Sequence, residues 1–345
     1  MTGRLSRRGT IAGGGALLAL AFAVAASSGA YAISTAQLWQ VVAAAWQGGG
    51  DPSPQHLVFM NIRLPRLILG IAAGCGLGMA GALMQGLFRN PLADPGLIGI
   101  SSGAALAAGV TIVLGATLWP ALPRTLGSWT LVSMAFGGGF LVTLLIYSLS
   151  RSEGGTRMAL MLLAGIAINA LAGAGLGFLS VMATDEQLRS LQFWLLGSLG
   201  GARWSAVILV GAVVFVACAA ALTLASPLNA IALGESQATL LGVDVERIKR
   251  RAVVVTAFAV GAVTATTGII GFIGLIAPHW VRMVAGPDHR VVLPASGLLG
   301  AALVLAADTV ARTAMAPAEL PLGVLTAFIG APMFLLMLRH FRSRV

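Results

Sequence analysis

The chain is short of charge. Asp, Glu, Lys and Arg make up 9% of its 345 residues, against about a quarter in soluble domains, so a water-soluble body of this size has too little polar surface to draw on. Lysine is nearly missing, since the single one is Lys249, within Arg247-Ile248-Lys249-Arg250. A phosphate-binding loop of the G-x-x-x-x-G-K-[ST] type needs a lysine to reach nucleotide phosphates, and none stands in that setting, so the chain is not expected to be its own ATPase. The two cysteines, Cys75 and Cys218, both fall in apolar runs and are read as packing residues rather than a disulfide framework. None of the four histidines pairs at H-E-x-x-H or similar spacing, so no metal site is expected.

What is present is apolar: 58% hydrophobic residues, with a mean hydropathy of +0.93. Crossing a hydrocarbon core of about 30 Å takes about 20 helical residues, and charge-free runs of that order cover 9–50, 95–123, 125–150, 158–184, 204–234 and 252–281, with shorter candidates at 67–88, 291–307 and 320–338. Gly268, Gly271, Gly274 and Pro278 interrupt the 252–281 run, which reads as one full span and the start of a short second one. The segments lack period-2 alternation and are roughly twice the length of a barrel strand, which excludes a β-barrel. The fold expected is an all-α polytopic membrane protein of about ten transmembrane helices, a single domain over 1–345.

A formal net charge of +10 would point to nucleic acid in a soluble protein. Here the cations sit in short loops, where they orient the chain, and no nucleic-acid partner is expected. Both ends are basic, with Arg4, Arg7 and Arg8 at one and Arg339, His340, Arg342 and Arg344 at the other. The positive-inside rule places both termini in the cytoplasm and requires an even number of spans. The basic start and the apolar run ending at Ala30-Tyr31-Ala32 also fit a cleavable signal peptide, but a first span is the reading kept.

The stretch 63–106 organises the rest. Gly70, Gly74 and Gly78 recur every four residues with Gly81 a turn further on, stripping one helix face so that another backbone can approach closely. The polar hinge that follows, with Asn90, Pro91, Asp94 and Pro95, cannot continue a buried helix and must turn. Arg63 and Arg66 stand at the outer mouth of this span, against the orientation bias. Residues 184–204 read as a short periplasmic helix, and 226–251 as two short helices on the cytoplasmic face, with Pro227 ending the preceding span. A faint echo between 70–105 and 261–302 has the form of an inverted internal repeat. Gly99-Ile100-Ser101-Ser102-Gly103 matches the hydrolase G-x-S-x-G, but no strand precedes it, and a Ser/Gly cluster opening a membrane helix serves packing. Asp308 is the one clear intramembrane acid; Arg312, at i+4, can neutralise it, which argues against an ion-coupled secondary transporter.

Four blocks, GLFRNPLADPGLIGISSGAALA preceded by RLPR, ALGESQATLLGVDVERIKRR, GIIGFIGLIAPHWVRMVAGPDHRVVLP and LAADTVARTAMAPAELPLGVLTAFIGAPMFLLML, resemble in order the permease subunits of bacterial type II ABC importers for iron-siderophores, haem and vitamin B12, the FecCD family. The resemblance covers nearly the whole chain. It implies a non-enzymatic inner-membrane permease that forms a homodimer, carries two cytoplasmic ABC ATPases and receives cargo from a periplasmic binding protein. ATP would be bound by the partner subunit and no cofactor by this chain. The segments DPGLIGISSGAALA and ATDEQLRSLQFWLLGSLGGARW resemble haem permeases most, so haem is the expected cargo, with ferric siderophore or cobalamin as the alternative. The resemblance further implies that Arg63, Arg66 and Arg312 meet carboxylates of the binding protein. It also implies that Leu233, Glu235, Leu240, Leu241, Gly242, Asp244, Glu246 and Arg247 couple to the ATPase, with the leucines in its groove and the charged groups at the rim.

A cysteine placed at Gln237 in a chain lacking Cys75 and Cys218 is expected to resist a membrane-impermeant maleimide added to intact cells and to react after lysis. Labelling in intact cells would reverse the assigned orientation.

Overall fold

The computed structural model describes residues 6–29, 39, 53–153 and 155–342. The expected A-x-A site at Ala30-Tyr31-Ala32 lies outside the described residues. The long elements are α1 (Arg7–Ser27), α2 (Pro54–Leu87), α3 (Ile100–Leu118), α4 (Trp129–Leu149), α5 (Met158–Met182), the short α6 (Asp185–Leu196), α7 (Trp204–Thr223), the short α8 (Ala225–Ala232) and α9 (Glu235–Leu240), α10 (Val245–Thr267), α11 (Ile273–Ala285), α12 (His289–Thr313) and α13 (Leu322–Arg342). Among the described residues seven helices, α1 to α5, α7 and α12, are long and apolar enough to cross a membrane. With α10, whose first two turns are basic, and the shorter apolar α11 and α13, the bundle has the ten helices expected from the sequence. The fold is an all-α polytopic membrane fold.

Helix α2 is the axis of the packing. A Cβ added at Gly74 would fall 2.3 Å from the Gly300 carbonyl oxygen, one at Gly300 would fall 2.2 Å from that of Gly74, and one at Gly78 would fall 2.1 Å from the Ser296 oxygen. The two backbones of α2 and α12 are therefore in direct contact, as the glycine spacing requires. Gly81 meets α11 in the same way, since a Cβ there would collide with the Gly274 oxygen. Pro278 has no N–H to give that oxygen, and the Gln85 amide donates to it instead at 3.3 Å. A second seam, Gly103 against Gly138, joins α3 to α4. This is the packing role expected of the Ser/Gly cluster.

Three boundaries differ from the sequence reading. Helix α2 starts at Pro54, capped by Ser53, and a π-helical turn at Phe59–Arg63 carries it on without a break, so Arg63 and Arg66 lie inside a long helix rather than at its mouth. Pro227 does not end a span: α7 ends at Thr223, and Pro227 sits in the first turn of α8, where a missing N–H leaves nothing unsatisfied. Residues 245–251 belong to α10, whose start is capped by Asp244 accepting from the Arg247 N–H at 3.0 Å.

The bundle has two distinct ends. One gathers Arg63, Arg66, Arg312, α6 and residues 314–321. The other gathers the 88–99 turn, the hairpin of Arg151–Ser152 with Gly155–Thr156, α8, α9 and the 286–288 turn. Helix α1 runs from the second end to the first, and α13 starts at the first, where Leu322 donates to the Gly197 oxygen. Its 21 residues span about 31 Å at 1.5 Å each, bringing it back beside the end where α1 began. Helices α2 and α10, which lead the two echoing stretches, run in opposite directions, whereas the turns at 91–96 and 287–288 lie at the same end.

Gly78→Leu should cost more than the 1–3 kcal/mol typical of an overpacked core, because backbone cannot yield as a side chain can. The expected readout is loss of the monodisperse detergent-solubilised protein. Gly137→Ala, in open space, should leave thermal stability unchanged or slightly raised by helix propensity.

Candidate functional site

At the first end, three arginines expected to face outward are turned into the structure. Arg63 is 5% exposed and Arg312 8%. Arg63 Nη1 donates to the Ala26 carbonyl at 2.8 Å, Arg312 Nη1 to that of Ser28 at 2.8 Å, and Arg312 Nη2 to that of Ala25. These are the orphan carbonyls at the C-terminus of α1, where positive charge is favoured by the helix dipole. Arg66 makes a two-pronged contact with Asp308, Nε and Nη2 each 2.9–3.1 Å from its oxygens, and another with Glu319 at 2.9 Å. The expected Asp308–Arg312 pair is present at 3.3 Å, but the closer partner of Asp308 is Arg66. Hydrogen bonds from Arg66 hold the Glu319 carboxyl below its usual range. Together with Gly29, Val58, Ile62, Ala316 and Pro317, the three arginines and Glu319 line a cavity of about 260 Å³. Three of the predicted site residues are thus brought to one place, with their guanidiniums already engaged.

At the second end, α8 and α9 are the two short helices expected between 226 and 251. Leu233, Leu240 and Leu241 are 69%, 81% and 66% exposed, an apolar triplet on a polar segment. Gly242, at φ +82°, closes α9 in a Schellman turn, with Val243 N–H donating to the Ala238 oxygen and Gly242 N–H to the Thr239 oxygen. Asp244 and Arg247 pair at 3.2 Å on the surface. Glu235 and Glu246 do more than stand at a rim, because both accept from Lys249. The hinge beside them is a capped turn: Asn90 Oδ1 accepts from the Leu92 N–H at 2.9 Å and Asp94 Oδ1 from the Gly96 N–H at 2.7 Å. Pro95 then opens a short 3-10 turn leading to α3. Burial pushes the Asp94 carboxyl up, against the pull of the Gly96 N–H.

Several residues that join distant segments carry no motif. Glu319 and Lys249 are visible only once distant segments meet. Arg282 donates to Gln85 Oε1, linking α11 to α2, and Asn229 joins α8 to Asp288 and His289 at 2.6–2.9 Å. His289 in turn packs on Gly86, whose hydrogen is replaced by nothing larger without meeting the ring. Among the described residues no group of three or more His, Cys, Asp or Glu side chains could hold a metal ion.

Residues 17–340 match the FecCD transport family. The chain is 46% identical over 300 residues to the hemin transport system permease protein HmuU of Yersinia pestis, covering 87% of this chain and 88% of that one. It is 42% identical over 296 residues to the cobalamin import system permease protein BtuC of Halobacterium salinarum, covering 86% and 77% respectively. A solved structure described as an inward-facing conformation of a metal-chelate type ABC transporter superposes with a TM-score of 0.83 at 29% identity, over 96% of this chain and 98% of the other.

Arg66→Met leaves Asp308 and Glu319 without their main donor, and a broken buried pair costs about 3–5 kcal/mol, to be read as a fall in the melting temperature of the purified protein. Because the folded Glu319 carboxyl titrates below its unfolded value, its contribution is full above the unfolded value of about 4.3 and lost as pH falls through the folded one. Glu319→Gln should therefore lower the melting temperature at pH 7, with the gap to the unsubstituted chain closing as the pH falls below about 4.

Proposed function

The chain belongs to the FecCD transport family, and from that premise we propose that it is the membrane-spanning subunit of an ABC importer that moves haem across the bacterial inner membrane. The observation that carries the cargo assignment is the 46% identity with a hemin permease over most of both chains. Cobalamin is the second reading, favoured by the 42% identity with a cobalamin permease. Neither this chain's sequence nor its charged groups provide a nucleotide-binding loop, so ATP is bound and hydrolysed by a separate subunit.

In this reading both termini, α8 and α9 face the cytoplasm. The exposed Leu233, Leu240 and Leu241 seat in a groove of the ATPase, with Glu235, Asp244, Glu246 and Arg247 at its edge. A second copy of the chain completes the pathway. Its support is helix α5, which is left largely uncovered and where a Cβ added at Gly173 or Gly177 would meet nothing within 4 Å, a four-spaced small-residue face of the kind that joins membrane helices. The periplasmic binding protein docks over Arg63, Arg66 and Arg312. Guanidinium suits this because its planar fork can bind a carboxylate with two hydrogen bonds and keeps its charge at any relevant pH.

Proteoliposomes carrying the permease with its ATPase and binding protein should take up haem with ATP and no ion gradient, in preference to cobalamin and a hydroxamate siderophore. Uptake of cobalamin without haem would replace the cargo, and uptake that needs an ion gradient rather than ATP would replace the mechanism.

A further inference from the structure

The one lysine of the chain is also one of its best-buried polar groups, 2% exposed, and each of its three N–H bonds has an acceptor on a different segment. Lys249 Nζ donates to Glu235 Oε2 on α9 at 2.8 Å, to Glu246 Oε1 on α10 at 3.0 Å, and to the Thr156 carbonyl of the hairpin before α5 at 2.8 Å. Glu246 closes the ring, its Oε2 accepting from the Thr156 N–H at 3.0 Å and from the Thr156 hydroxyl at 2.7 Å. The hairpin is shaped to receive it. Gly155 has φ +104°, and a Cβ there would stand 2.9 Å from Glu246 Oε1. An ammonium has three donors in a tetrahedral array, whereas a guanidinium is a flat fork. A chain that otherwise uses arginine throughout has lysine at the one node where three acceptors converge on one nitrogen.

We propose that Lys249 is a positioning residue that ties the segment carrying the exposed leucines to the start of α5, so that displacement of α9 is passed to α5 through Thr156 as well as along α10. The inference rests on the reading of α8 and α9 as the ATPase contact. Helix α5 begins at Met158, two residues from Thr156, so a shift of the hairpin has no slack in which to dissipate. Without the ammonium, Glu235 and Glu246 repel one another and the hairpin loses its link to α9, keeping the Glu246 contact to α10.

Two measurements on Lys249→Met and Lys249→Arg test this. In the purified permease, amide hydrogen exchange at Gly155 and Thr156 should rise about tenfold in Lys249→Met and by a smaller factor in Lys249→Arg. In the reconstituted complex, ATP hydrolysis should persist within about twofold while cargo moved per ATP falls about tenfold in Lys249→Met, with arginine restoring little. Unchanged exchange removes the tie. Raised exchange with an unchanged ratio of transport to hydrolysis reduces it to a structural fastening, and full rescue by arginine shows that charge alone suffices; either outcome overturns the proposal. Absence of ATP-driven uptake by the unsubstituted complex would instead count against the functional reading, and the exchange data would still decide whether Lys249 links the segments. Lys249→Arg keeps the charge and serves if the methionine variant fails to fold.

Discussion

In a bilayer, lipid tails are as apolar as leucine, so helices gain little by hiding apolar surface from water and must instead gain close contact and satisfied polar groups. The reciprocal approach of Gly74 and Gly300 meets that constraint with backbone alone, and the rest of the bundle is placed by it. Fixing α2 against α12 sets Arg66 on Asp308 at one end and Gly86 against His289 at the other. A side chain at any of the close glycines would separate the helices and loosen both ends together. The Gln85 amide, covering the carbonyl that Pro278 leaves free, shows the complementary demand: a break in a buried helix is tolerated where a neighbour supplies the missing donor.

What could be read from the sequence was what is periodic or out of place. Four-residue glycine spacing marks a seam because a helix brings those positions to one face, and the seam is where it was expected. Leu233, Leu240 and Leu241 were singled out by the family resemblance, and in the folded chain they are exposed. The partners of the arginines were not legible. Asp308 and Glu319 reach Arg66 from 242 and 253 residues away, and no local pattern records such a meeting. Lys249 entered the sequence reading only as a lysine in the wrong place for a phosphate loop, since its three acceptors lie on three segments. The π-helical turn at Phe59–Arg63 has no residue signature, so the start of α2 was placed too late.

The two ends also differ in how they are held. At the arginine end the charged groups are anchored to helix termini and to one another, and their geometry follows from the seam. At the opposite end the polar contacts join short pieces, Asn229 to Asp288 and Glu246 to Thr156, while the apolar groups are left uncovered. One end is closed on itself by its charged groups, and the other leaves its apolar groups exposed.

The cluster around Asp308 brings three guanidinium groups against two carboxylates and the carbonyl end of α1, so the cavity it borders is left with a partial excess of positive charge. Low-dielectric walls concentrate the field of such a charge into the opening rather than letting water disperse it. Such a field favours anionic groups over cations beside that cavity. That preference weakens with added salt, over a distance of about 8–10 Å at physiological ionic strength.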